Sequence, residues 1–255
     1  MSTALVTGAT AGIGREFCEQ LAAKGDDLVL VARDAARLER VADELRERHG
    51  VAVEVLVADL SDRAQLQRVA DRLGEAARPV DVLVNNAGYG LSTPFAQSEI
   101  ADEERLLDVL VRAVLVLSHS AARAMTTRGH GRIINVSSVA GYLAGGPYSA
   151  AKAYVTTLTE SLSGQLRGTG VTATAVCPGY VVTEFHERAG IDHGARSGPL
   201  WLDAADLVRE ALADAERGRA VSVPSVQYKA IAAALRHLPR GVVRRATTRS
   251  PRGGR

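Results

Sequence analysis

The stretch ALVTGATAGIG, Ala4–Gly14, sets a short apolar run against three glycines, and a segment of helical period follows. Gly8, Gly12 and Gly14 stand between a first strand, ALVTG, and a first helix over 12–24. Glycine permits a tight turn and lets the backbone approach a ligand closely. A helix start offers unbonded N–H groups and the positive end of its dipole, a setting that suits a pyrophosphate. The spacing is G-x3-G-x-G, which differs from the general G-x-G-x-x-G fingerprint.

The same alternation continues outward from this turn. LVLVA, VEVLVADL, DVLVNNAG, GRIINVSS, VTATAVCPG and AVSVP are strand-like, and helical periods fall at 35–48, 62–77, 101–128, 148–167 and 203–217. Strands with no polar face between helices predict a parallel sheet covered on both sides. The expected fold is therefore α/β, a Rossmann-like, doubly wound, seven-stranded parallel sheet. Ligands bind such sheets beyond the carboxyl ends of the strands, where strand order reverses.

The chain has 255 residues, 46% of them apolar and 24% charged, with a formal charge of +2. That balance fits one globular domain, expected over 1–240, and gives no field to recruit nucleic acid. From Arg236 onward there are seven arginines and no acid; without interleaved aromatic residues, 241–255 reads as a basic, disordered tail. Cys18 and Cys177 form no CxxC pair, and the six histidines show no HExxH. A reducing, cytoplasmic setting is expected, with no metal, and His186 and His193 fall to a polar loop. The most apolar stretch, LLDVLVRAVLVL, carries Asp108 and Arg112, so no membrane span is expected. The segments 101–128 and 148–167 are apolar beyond one stripe, which predicts a homodimer or homotetramer.

PYSAAK, Pro147–Lys152, places a tyrosine and a lysine four apart, on one face of a helix. An ammonium beside a phenol favours tyrosinate, so a lowered Tyr148 pKa is expected, making it a general acid or base. The turn Thr7–Gly14, the NNAG of Asn85–Gly88 and this Tyr148–Lys152 pair, in that order, resemble the single-domain branch of the short-chain dehydrogenase/reductase family. ADL at 58–60 and PGYVVTEF at 178–185 add two matches, and VPSVQYKAI is similar to a ketoacyl-reductase-like bacterial subgroup.

The resemblance implies an NAD(P)-dependent enzyme that reduces a ketone or aldehyde to an alcohol, or runs the reverse, on a small-molecule substrate. It implies catalysis by Ser138, Tyr148 and Lys152, with Ser138 on the substrate oxygen and Lys152 also on the nicotinamide ribose, and with the positive nicotinamide ring of the oxidised cofactor reinforcing Lys152 in lowering the Tyr148 pKa. Gly8, Thr10, Gly12, Ile13 and Gly14 would hold the cofactor phosphates. Asp59 would bond the adenine amine beside Leu60, and Asn86, Ala87 and Gly88 would line the cofactor. Pro178, Gly179, Val181 and Thr183 would also contact the cofactor, Thr183 at the nicotinamide amide or the phosphates, and 184–201 would form the substrate lid, with Trp201 near its far hinge. Strand two ends in Ala32 followed by Arg33, where NAD-selective members carry an acid. An arginine there predicts NADP(H) as the preferred cofactor, with NAD(H) possible.

Two departures stand out. Ser138 and Tyr148 are ten positions apart, shorter than the family's usual spacing. The family's fourth catalytic position, an asparagine, falls on Leu110, whose backbone carbonyl remains to hold a relay water. These departures keep two alternatives open: an NADP-binding protein without redox turnover, or a lyase or isomerase using Tyr148 and Lys152.

Overall fold

The computed structural model describes residues 2–181, 198 and 200–249. Its main sheet has seven parallel strands: β1 (Thr3–Thr7), β2 (Asp27–Ala32), β3 (Val53–Val57), β4 (Val82–Asn85), β5 (Gly131–Val136), β6 (Val171–Val176) and β9 (Val221–Ser222). They lie in the order β3-β2-β1-β4-β5-β6-β9. Each strand anticipated from its apolar run is present. A second, two-stranded sheet pairs β7 (Tyr180–Val181) with β8 (Trp201–Leu202).

Side chains alternate across the sheet as the period of two requires. Ala4, Val6, Leu28, Leu30, Val82 and Val84 face one layer of helices: α1 (Gly12–Ala23), α2 (Ala35–His49) and α7 (Ala204–Glu216). Leu5, Val29, Val31, Leu83 and Ile133 face the other layer: α3 (Arg63–Gly74), α5 (Ala113–Arg128) and the end of α6 (Pro147–Gln165). Strand order reverses between β1 and β4, since β2 pairs to one side of β1 and β4 to the other. The crevice at that reversal collects the loops that follow β1, β4 and β5.

Two expectations are corrected. The stretch 101–128 is not one helix: α4 (Ile100–Leu107) runs into a π-helical turn, Asp108–Arg112, before α5. There the Ala113 N–H reaches back to the Asp108 carbonyl, and the Asp108–Arg112 ion pair braces the turn. The expected irregular tail is helical over Arg240–Arg249, α9, after α8 (Val226–His237). The Pro239 carbonyl accepts from the N–H groups of Val242 and Val243, and buried Val243 gives the basic helix an apolar anchor. Residues 250–255 lie outside the described residues. No described helix is long and apolar enough to cross a membrane.

Candidate active site

Gly8, at φ +68°, turns the chain out of β1, and Gly12, at φ +53°, opens α1. A Cβ at Gly14 would lie 2.3 Å from both the Gly8 carbonyl oxygen and Asn86 Nδ2, so only glycine lets helix and turn close together. Asp34 and Asp62 cap α2 and α3 with their side chains. Ala11, at the start of α1, supplies no such bond, and the first turn carries no acid. The turn therefore fits a phosphate group: glycine backbone, an uncapped helix start and nothing negative to repel it. Thr10 and Ile13 are half-buried beside it.

Thr7 joins this turn to the next loop. Its Oγ1 donates to the Val84 carbonyl at 3.4 Å and accepts from the N–H groups of Asn86 and Ala87 at 3.0 Å each. Asn86 Nδ2 donates to the Thr7 carbonyl at 3.0 Å. Thr7 lay inside the glycine motif without a role of its own in the sequence, because its partners are 77 to 80 residues away.

At the end of β2, Arg33 is exposed beside Ala32. Asp59 accepts from Ser61 N and Ser61 Oγ at 2.9 and 2.7 Å, and from Arg105 at 2.7 Å. Burial pushes the Asp59 carboxyl up, but the bonds from Ser61 and the Arg105 guanidinium outweigh it and leave the pKa below its ordinary value. Arg105, on α4, is an addition the sequence did not signal. Burial raises the phenol of Tyr89, just past the NNAG loop, and the charges of Arg105 and Arg33 both act against that rise. Leu60 is buried under this end of the crevice.

At the other end, Gly146 (φ +88°) and Pro147 start α6. Tyr148 and Lys152 share a face, with Lys152 Nζ 5.7 Å from the centroid of the Tyr148 ring. Lys152 is 5% exposed and its Nζ donates to the Val136 carbonyl at 2.8 Å. Ser138 Oγ donates to the Pro178 carbonyl at 3.3 Å, accepts from Ala140 N at 3.1 Å and hydrogen-bonds Tyr148. The short connection between them fits because Gly141 lies flat on α6, where a Cβ would meet Ala153 N at 2.9 Å.

The expected lowering of the Tyr148 pKa does not arise from the protein's own groups. Burial pushes the phenol up to about 12, against the pull of the Ser138 hydrogen bond, and burial brings Lys152 down to about 8. For both groups, removal from water is the largest influence.

Leu110 sits in the π-helical turn, 1% exposed, in a small cluster with Leu106, Ala151 and the flank of Tyr148. A Cβ at Gly88 would lie 2.8 Å from Leu110 Cδ2 and 3.9 Å from Lys152 Nζ. Gly88, Leu110 and Lys152 therefore meet at one point. Pro178 is buried and bonded to Ser138, Gly179 is half-buried and Val181 is 4% exposed. Thr183, His186, His193 and most of 184–201 lie outside the described residues, although Trp201 is placed, its ring 5.6 Å from that of Tyr180. Among the described residues no cluster of His, Cys, Asp and Glu suits a metal.

A family model described as short chain dehydrogenase matches residues 2–193. Sulfoacetaldehyde reductase 2 of Chromohalobacter salexigens is 38% identical over 82% of this chain and 84% of that protein. Galactitol 2-dehydrogenase (L-tagatose-forming) of Cereibacter sphaeroides is 39% identical over 81% of each. Among solved structures, a short-chain dehydrogenase from Sphingobium yanoikuyae in complex with NADPH superposes with a TM-score of 0.85 at 37% identity, covering 100% of this chain and 99% of that one.

Proposed function

The chain belongs to the short-chain dehydrogenase family, and we propose that it interconverts a ketone or aldehyde with the matching alcohol, with NADP(H) preferred and NAD(H) possible. The observation that carries this reading is the hydrogen-bonded Ser138–Tyr148 pair beside buried Lys152, in the same crevice as the uncapped glycine turn.

The glycine turn would hold the pyrophosphate and Arg33 the 2′-phosphate. Asp59 would accept from the adenine amine, and Pro178, Gly179, Val181 and Thr183 would border the nicotinamide. The cofactor would supply hydride to the carbonyl carbon. Tyr148 gives its proton to the carbonyl oxygen. Ser138 turns its hydroxyl from the Pro178 carbonyl to the same oxygen, an exchange that is easy because its 3.3 Å bond is long. Lys152 offsets the negative charge left on the phenolic oxygen. Leu110 supplies no side-chain amide, so a relay of protons to Lys152 would pass through water on the residue-110 carbonyl.

The deciding experiment follows NADPH absorbance with a panel of ketones and aldehydes, and NADP⁺ with alcohols. Turnover on at least one carbonyl is expected. Tight NADPH binding with no consumption on any of them would favour the non-redox readings. The exposed Leu107, Leu115 and Tyr154, on α4, α5 and α6, are the surface through which we place a dimer or tetramer; a monomer at micromolar concentration in light scattering rejects that assembly.

A further inference from the structure

Helix α8 begins on a strained residue. Ser225 has φ 81°, the one positive φ outside glycine among the described residues, and such outliers persist only where their surroundings hold them. Here Ser225 N donates to Glu210 Oε2 at 3.0 Å, and Ser225 Oγ accepts from Tyr228 N at 3.3 Å. Glu210 is braced in turn by Lys229. The strained cap aims Tyr228 inward, where it is 3% exposed.

The Tyr228 ring lies against Gly179, where a Cβ would come within 1.8 Å of Cζ. Its hydroxyl uses both capacities, accepting from Tyr180 N at 3.0 Å and donating to the Leu200 carbonyl at 2.8 Å. One residue before Gly179, the Pro178 carbonyl accepts from Val139 N at 3.0 Å and from Ser138 Oγ at 3.3 Å. An unbroken set of contacts therefore leads from α8 to the serine hydroxyl.

We infer that Tyr228 is a positioning residue for Ser138: its ring sets the Pro178–Gly179 backbone that orients the serine, and its hydroxyl ties β7 to the residue preceding β8. The inference rests on the role given to Ser138 above. It has a reporter of its own, because Trp201 is the single tryptophan of the chain and follows Leu200 directly.

The test compares Tyr228→Phe and Tyr228→Leu, each with Ser138 intact and with Ser138→Ala, using a ketone or aldehyde that the unmodified protein reduces. Melting curves and NADPH titrations run alongside. With Ser138 present, Tyr228→Leu should lower kcat roughly 10- to 100-fold, the scale of a small misplacement of a reacting group. In the Ser138→Ala background the loss should shrink to about twofold, as expected of coupled residues. Tyr228→Phe keeps the ring and should hold kcat within about threefold, while iodide quenches Trp201 more readily.

Equal losses in both backgrounds, or an unchanged kcat in a folded Tyr228→Leu, overturn the inference, as does unaltered Trp201 quenching in Tyr228→Phe. If Tyr228→Leu does not fold, Gly179→Ala, which pushes the ring away, must show the same dependence on Ser138. If neither a ketone nor an aldehyde is reduced even by the unmodified protein, the proposed function fails by itself, and the quenching arm still decides the tie between β7 and Leu200.

Discussion

Lys152 Nζ stands 5.7 Å from the centre of the Tyr148 ring, yet each group is held nearer its neutral form. For Lys152, burial brings the pKa from 10.5 to about 8. A buried cation depressed in this way reduces stability while both states are protonated, below about pH 8. As pH rises through the window from about 8 to 10.5, the folded state has lost a proton that the unfolded state keeps, so stability rises with pH. Lys152→Met should remove this rise. The stability difference, unmodified protein minus variant, is expected to grow by on the order of 2–4 kcal/mol across that window. Urea unfolding at a series of pH values measures it, and a flat difference contradicts the assignment.

Tyr148→Phe keeps the ring and removes the proton donor. General acid–base catalysis contributes ~10²–10⁴-fold, so reduction should fall by that order while NADPH still binds. Undiminished turnover would eliminate the proposed chemistry.

Arg33 is exposed and follows Ala32 instead of an acid. A hydrogen bond to a charged group contributes ~1.5–3 kcal/mol. Arg33→Ala should therefore weaken NADPH binding roughly 10- to 100-fold and leave NADH nearly unchanged. Equal losses for both cofactors in calorimetric titrations reject the 2′-phosphate contact.

Leu110→Asn restores the family's residue in a buried, mainly apolar cluster that borders Lys152. If the backbone carbonyl of residue 110 suffices for the relay, kcat should change little, while an unpaired buried amide costs ~1–3 kcal/mol of stability. A clear gain in kcat at unchanged melting temperature would show that leucine limits proton delivery.

The sheet was readable because its strands are short runs rich in Val, Leu, Ile and Ala separated by helical periods, even though Thr172 and Thr174 share one face of β6. The π-helical turn was not readable. Leu106, Leu107, Val109, Leu110 and Val111 continue the apolar pattern with no Gly or Pro to mark where one residue loops out. In the site, Tyr148, Lys152 and the glycines announced themselves by local spacing. Thr7, Arg105 and Tyr228 act on partners 28 to 80 residues away, and no local pattern encodes such contacts. The rise that burial imposes on Tyr148 is not legible for a related reason: charge proximity can be read from a four-residue interval, but the extent of burial depends on the whole fold.

The central place of β1 also governs how the protein must be made. Its pairing with β2 is available once the first few dozen residues have left the ribosome, but its other edge waits for Val82–Asn85. Until then the nascent chain carries an open strand edge, a template for pairing with other chains. Thr7 waits as well, since its side-chain bonds reach only to residues 84, 86 and 87. The phosphate-shaped turn after β1 thus acquires its final form only once residues 84–87 have been synthesised, so a nucleotide has no finished site to stabilise before that point.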